Sequence, residues 1–225
     1  MVSNAAERNN LKILGTSSSM GGCFLDVKVT GEGKFSGDVD CLSFSLTGNS
    51  GISGSLRTEK LKLTGEIEVK ERLTAGALHG QGEIKCGSLS AERVKLSGDL
   101  EVSGDCEAEK LQMTGALRVG RLLNADILEL VLFGPSRSSE VGGGSITIKR
   151  SKAGVLLKQV QSKGILFTAR VIEGDQVDIQ NTRAEVVRGE NVIIGADCEI
   201  GIVEYRGKLE IHKSATVKQQ VKVTK

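Results

Sequence analysis

The sequence predicts an all-β fold: a parallel β-helix, a single-stranded solenoid with a triangular section and about 17 residues per turn. Three observations predict it. Each repeat holds three short stretches in which apolar and polar residues alternate. Glycines or polar residues separate the stretches, and the chain has 29 Gly but one Pro. A pattern of apolar–x–apolar–x–Gly recurs at nearly even spacing, with copies that begin at Val27, Phe44, Leu61, Leu78, Val94 and Leu111.

The alternation explains why the repeats should stack. Side chains two residues apart on a strand point to the same side, so each repeat has an apolar face that it cannot bury alone. Winding the chain into coils encloses that face, and each strand then pairs in parallel with its copy one turn on, about 4.8 Å away. Glycine permits the backbone dihedral angles of a tight corner.

The elements are predicted in chain order. Residues 1–21 form a short N-terminal tail, and residues 22–133 form the regular repeats of the β-helix. Residues 134–145 read GPSRSSEVGGGS. Proline followed by consecutive glycines is typical of a loop, so we expect a Gly/Ser loop there. Residues 146–225 are predicted to continue the β-helix less regularly.

The weakest pattern lies in residues 149–176. Their segment VLLKQVQ (155–161) fits a strand or a short helix, and we expect a strand. We expect residues 22–225 to make about eleven or twelve turns and to form a rod roughly 50–60 Å long.

Composition and motifs argue against several functions. The net charge of +2 argues against a nucleic-acid protein recognised by bulk charge. His79 and His212 have no partner at metal-ligand spacing, and GTSSSMGG (15–22) does not match a phosphate-binding loop. One Tyr and no Trp disfavour a carbohydrate-binding groove. We therefore predict a non-enzyme with no catalytic residue, cofactor, metal site or small-molecule substrate.

The five cysteines are odd in number and contain no CxxC pair. We interpret them as small buried thiols in a reducing compartment. No stretch of about 18 apolar residues occurs, so we expect a cytoplasmic protein. Apolar residues at Leu11, Ile13 and Leu14 leave open a contact with the inner face of the membrane.

Three parts of the sequence resemble bactofilins, in particular the long forms of spore-forming Gram-positive bacteria. They are the opening SSSMGGCFLDVKVTGEGKFSGDVDC (17–41), the LKLTGEIEV-type units and the segment VIEGDQVDIQNTRAEVVRGENVIIGADCEIGIVEY (171–205). The resemblance implies a right-handed β-helix that polymerises end to end, without nucleotide, into non-polar filaments. These act as scaffolds for cell shape, envelope or motility assembly. It also implies which partners the chain binds: further copies of itself, a bactofilin paralogue, and membrane or envelope-associated proteins. The chain departs from the common pattern in its short, almost Pro-free tails.

Both ends of such a rod should be open. A terminal coil exposes unpaired backbone groups and an apolar cross-section, which pair readily with another chain unless covered. Alternatives left open are a non-polymerising binding module for envelope or flagellar partners and a carbohydrate-active β-helix enzyme. The predicted polymer interface comprises Phe24, Leu25, Val27 and Val29 at the N-terminal coil and Leu209, Ile211, Val217, Val221 and Val223 at the C-terminal coil.

Overall fold

The computed structural model of the chain describes residues 8–151 and 165–224. These residues form a β-solenoid of about 12 turns with about 17 residues per turn, in one parallel sheet, which confirms the predicted fold class. No helix long and apolar enough to cross a membrane occurs in this part of the chain. The strands are β1 (Asn9–Ser19), β2 (Gly22–Phe35), β3 (Val39–Ile52), β4 (Leu56–Val102), β5 (Cys106–Val119), β6 (Leu122–Leu132), β7 (Ser136–Arg137), β8 (Glu140–Arg150), β9 (Phe167–Ile179), β10 (Thr182–Ile194), β11 (Glu199–Tyr205), β12 (Leu209–Ile211) and β13 (Thr216–Lys222).

Successive turns pair in parallel register. In the N-terminal half the pairing follows the average turn, as where Leu111 of β5 pairs with Leu128 of β6. The turn is one residue longer where Leu128 pairs with Ile146 of β8. It is shorter than the average where Val177 of β9 pairs with Val192 of β10. The two halves therefore share one architecture but differ in turn length.

The core is made of columns in which equivalent apolar side chains stack from turn to turn. In one column, Val29, Leu46 and Leu63 pair in sequence and are at most 3% exposed. Because every inward position recurs once per turn, the hydrophobic effect acts along the whole rod and favours only the register that keeps apolar side chains stacked.

A column of glycines runs along one corner of the solenoid. Each has a positive φ, between 79° and 151°. From the second glycine onward, an added Cβ would lie 1.8–2.3 Å from the carbonyl oxygen of the glycine one turn earlier. The corner therefore requires glycine for both its backbone conformation and its close approach. The column comprises Gly15, Gly31, Gly48, Gly65, Gly82, Gly98 and Gly115, and it ends where Gly115 pairs with Leu132.

The N-terminal tail prediction is wrong for its second half. Asn9–Ser19 is strand β1, which pairs with β2 through Leu11 with Val27 and Ile13 with Val29. The segment LKILG (11–15) is a further copy of the apolar–x–apolar–x–Gly pattern, so the solenoid begins one turn earlier than predicted.

The predicted Gly/Ser loop at 134–145 is also wrong. Ser136–Arg137 and Glu140–Arg150 are strands. The hydroxyl of the buried Ser136 accepts a hydrogen bond from the Leu117 N–H at 3.0 Å. A Cβ at Gly143 would lie 2.1 Å from the carbonyl oxygen of Ala125, so this glycine serves close packing between turns. The predicted strand at 155–161 lies outside the described residues.

Candidate assembly ends of the solenoid

The C-terminal turn leaves interior columns open. Ile194 is fully buried, but Ile211, its partner one turn later in the same column, is 37% exposed. Ile200 is buried, and its partner Val217 is only half-buried. Exposure rises because no described residue stacks a further turn on these side chains. This end therefore presents an apolar cross-section.

The same end also presents backbone groups for pairing. Among the described residues, β13 pairs only with β11. Leu209 of β12 is half-buried and belongs to the same end surface. Val221 differs, because it pairs with Glu204, which lies outside the core beside Arg188. Val221 therefore lies on the flank of the rod, and Val223 beyond it is 42% exposed.

The N-terminal interface prediction is displaced by one turn. Val27 and Val29 are each 1% exposed, because β1 covers them on one side and β3 on the other. Phe24 is half-buried, and Leu25 is 39% exposed at an outward position in the second turn. These four residues therefore do not form the end of the described solenoid.

The N-terminal end is instead strand β1. Within residues 8–151 and 165–224, β1 pairs only with β2. Leu11 is half-buried, whereas Leu14 is 65% exposed and Met20 is 82% exposed. The repeat pattern in LKILG could have identified this end, because its glycine, Gly15, stands one repeat before Gly31.

Polar corners hold successive turns together. A carboxylate oxygen of Asp38 accepts a hydrogen bond from the Ser55 N–H at 2.7 Å, one turn later. Asn191 accepts in the same way from the Lys208 N–H at 3.0 Å. Each side chain satisfies a backbone donor at a corner, where the strand ladder is interrupted.

His212 has a comparable corner role in the last turn. Its ring nitrogen Nδ1 lies 2.9 Å from the hydroxyl of Ser214. That hydroxyl accepts a hydrogen bond from the Asp197 N–H at 3.2 Å, and Asp197 has a φ of 58°. His212 therefore supports the final corner. Within the described residues, no group of three His, Cys, Asp or Glu side chains could hold a metal ion.

Four of the five cysteines are buried free thiols, but the prediction that all five are buried is wrong for Cys23, which is exposed. Burial raises the pKa of Cys86 to about 12. Burial also raises the pKa of Cys41 and of Cys198 to about 11. These thiols are therefore protonated at neutral pH and act as small apolar groups in the core.

Lysines on the flank that follows the glycine column pair with glutamates of the same turn. Lys34 lies 2.9 Å from Glu32, and Lys85 lies 2.8 Å from Glu83. The hydrogen bond and charge of Glu83 raise the pKa of Lys85. We call this flank the second face. The paired glutamates largely neutralise the lysines of this face, and surface ion pairs of this kind add little to the stability of the fold.

Two proteins of Bacillus subtilis (strain 168) are similar to the chain over nearly its full length. The uncharacterized protein YhbF is 39% identical over 233 residues, which cover 95% of this chain and 97% of that protein. The uncharacterized protein YhbE is 37% identical over 232 residues, which cover 95% of this chain and 98% of that protein. No family model and no solved structure matches the chain.

Proposed function

We propose that this chain, which belongs to the same family as YhbF and YhbE of Bacillus subtilis, is a non-enzymatic structural protein. It assembles end to end, without nucleotide, into filaments that serve as a scaffold in the cytoplasm. The resemblance of residues 17–41 and 171–205 to bactofilins supports this role. The four buried, unpaired thiols favour a reducing compartment.

The exposure of Ile211 is the observation that carries the proposal. Its column partner Ile194 is fully buried one turn earlier, so the environment that buries Ile194 is missing at the end. Covering the 37% of Ile211 that is exposed contributes about 0.6–1.1 kcal/mol, scaled from the value for full burial. A second copy stacked on this end would supply that burial.

Strand pairing would add to this contact. β13 spans Thr216–Lys222, and its second edge has no partner among the described residues. A strand edge of another copy could pair with it at the spacing already used between turns. The contact would therefore extend the ladder of strand hydrogen bonds that runs along the rod.

Replacing Ile211 by arginine tests the proposal. Ile211→Arg places a charge in the apolar end surface, so we expect filaments to disappear or to require at least ten times more protein, about 1.4 kcal/mol. Sedimentation velocity and negative-stain electron microscopy of the full chain measure this. The matched control is Ile193→Arg, because Ile193 is 42% exposed on a flank and should tolerate the change.

The outcomes separate the end contact from other modes of assembly. Normal filaments from Ile211→Arg at the unaltered concentration would sink the proposal. An equal loss of filaments in Ile193→Arg would indicate that the contact between copies lies on the flank and not at the end. Circular dichroism of both variants checks that the solenoid is intact.

Cys23 provides a test of filament polarity. Non-polar filaments, which the resemblance implies, require N-terminal ends to meet N-terminal ends. Cys23 is the exposed thiol and lies in the second turn, so such a contact brings two copies of it within a few turn spacings of about 4.8 Å along the rod axis. We expect a short bismaleimide to cross-link filaments into dimers, and Cys23→Ser to abolish the product. Filaments that form but do not cross-link even with a bismaleimide long enough to span the width of the rod would contradict the non-polar arrangement.

A further inference from the structure

One flank of the solenoid carries a column of lysines. This flank, which we call the first face, is formed by the stretches that precede each glycine of the glycine column. Its outward column begins with Lys12, which pairs with Lys28, and continues through Ser45 to Lys62. Lys95 occupies the equivalent position two turns later. All four lysines are exposed. The column spans about 24 Å over five turn spacings.

These four lysines differ from those of the second face in having no counter-charge. None of them forms an ion pair with a carboxylate in the described part of the chain. On the second face, by contrast, Lys34, Lys70 and Lys85 each pair with a glutamate. The first face therefore concentrates uncompensated positive charge on a chain whose net charge is only +2.

A shallow trough of about 920 Å³ runs along the first face, parallel to the axis of the rod. Lys62, His79 and Lys95 line one side. The hydroxyls of Thr64 and Ser97 line the other side, and neither makes a hydrogen bond within the described residues. The trough thus offers ammonium groups and free hydroxyl donors in two rows. The acid Glu129, bound by Gln112 at 2.7 Å, marks its C-terminal end.

We propose that the first face binds a linear polyanion of the polyphosphate type, laid along the trough. The lysine ammonium groups pair with phosphoryl oxygens as point charges, and the threonine and serine hydroxyls donate hydrogen bonds to neighbouring oxygens. A linear ligand matches the trough because the lysines repeat along the axis of the rod and not around it.

Other occupants fit the face less well. Between Lys28 and Thr114 the outward positions of the first face hold no Phe, Tyr or Trp on which successive nucleic-acid bases could stack. The exposed apolar residues of the face, Leu14 and Val131, lie one at each end of it and form no continuous apolar surface that could enter a bilayer. A second copy would have to offer a column of free carboxylates. On the second face, however, Glu32 and Glu83 are paired with lysines. After Glu83, the charges of Glu101 and Glu66 also act on Lys85 and raise its pKa.

Binding of long-chain inorganic polyphosphate to the full-length chain tests the proposal. The probe carries a fluorescein at one end, and its anisotropy is followed at increasing salt. The logarithm of the affinity falls with the logarithm of the salt concentration, with a slope of about −0.7 for each lysine that contacts the polyanion. If about four lysines make such contacts, the affinity falls about 50-fold between about 50 and 200 mM salt. The double variant Lys62→Gln/Lys95→Gln removes two contacts, so its affinity falls only about 7-fold over the same range. At the lower salt concentration it binds at least ten times more weakly than the unaltered chain.

The matched control is Lys70→Gln/Lys85→Gln, which removes the same charge from the second face. We expect it to bind like the unaltered chain. Equal weakening in the control, or no binding by the unaltered chain, overturns the proposal. It is also overturned if phosphatidylglycerol vesicles bind more tightly than polyphosphate with the same dependence on Lys62 and Lys95. Salt-sensitive bundling without polyphosphate that the first-face variant abolishes would identify a second copy as the occupant instead.

Discussion

Alanine substitution along the glycine column separates two requirements of the corner, conformation and space. Gly65 has a φ of 127°, and an added Cβ would lie 2.0 Å from the carbonyl oxygen of Gly48. Gly15 also has a positive φ, 79°, but an added Cβ meets nothing within 4 Å. Gly51 lacks both features, because its φ is not positive and its surroundings are open. The three positions form a graded series.

The expected costs follow from these geometries. Gly15→Ala lowers the free energy of unfolding by about 1–2 kcal/mol, because alanine is strained at a positive φ. In Gly65→Ala the turns must also separate by about 1 Å to relieve the contact, which stretches two or three ladder hydrogen bonds at about 1 kcal/mol each. The total is about 3–5 kcal/mol. Gly51→Ala should raise stability by about 0.4–1 kcal/mol by restricting the unfolded chain.

Thermal unfolding monitored by circular dichroism measures the series. For a chain of this size 1 kcal/mol corresponds to about 2–4 °C, so Tm falls by about 2–8 °C in Gly15→Ala and by about 6–20 °C in Gly65→Ala. Gly51→Ala serves as the control for the glycine-to-alanine change itself. A Gly65→Ala variant no less stable than Gly15→Ala would refute the reasoning, because the clash with Gly48 would then carry no cost.

Two further predictions concern the core thiols and the corners. The folded pKa values of Cys41 (about 11) and Cys86 (about 12) lie above the value of 9.0 for a free thiol. Their stabilisation is therefore complete below pH 9 and is lost as pH rises, at up to about 1.4 kcal/mol per pH unit for each thiol. Urea midpoints should fall between pH 9 and pH 11, less so in Cys86→Val, and a constant midpoint would contradict this. Asp105→Ala should cost about 1 kcal/mol, because the Leu122 N–H loses its acceptor at 3.2 Å; an unchanged urea midpoint would show that this corner bond is dispensable.

The interior of the solenoid was predictable because two periods coincide in the sequence. Alternation at two residues assigns each side chain to the inside or the outside, and the longer repeat stacks equal positions from turn to turn. Val29, Leu46 and Leu63 illustrate this, since a slip by one residue would bring polar side chains into the column.

The ends of the solenoid and the strands within residues 134–145 were harder to predict, because the same residue types occur in different kinds of structure. Gly143 lies in a Pro/Ser/Gly-rich stretch that is typical of a loop, yet here it allows close approach to Ala125. The first turn was harder to recognise because Leu14 stands before Gly15, where the later repeats carry a polar residue, in most cases Thr or Ser. Which lysines lack a counter-charge, such as Lys62 as opposed to Lys70, depends on side-chain geometry that neither period contains.

The coiled path of the chain has a mechanical consequence. The hydrogen bonds between turns point along the rod, so a force pulling the two termini apart acts on the outermost turn first. The turns should then peel off singly, and each regular turn of about 17 residues releases about 55–60 Å of extended chain. A rod of this design would lengthen under tension in equal increments from its ends while the remaining turns kept their shape.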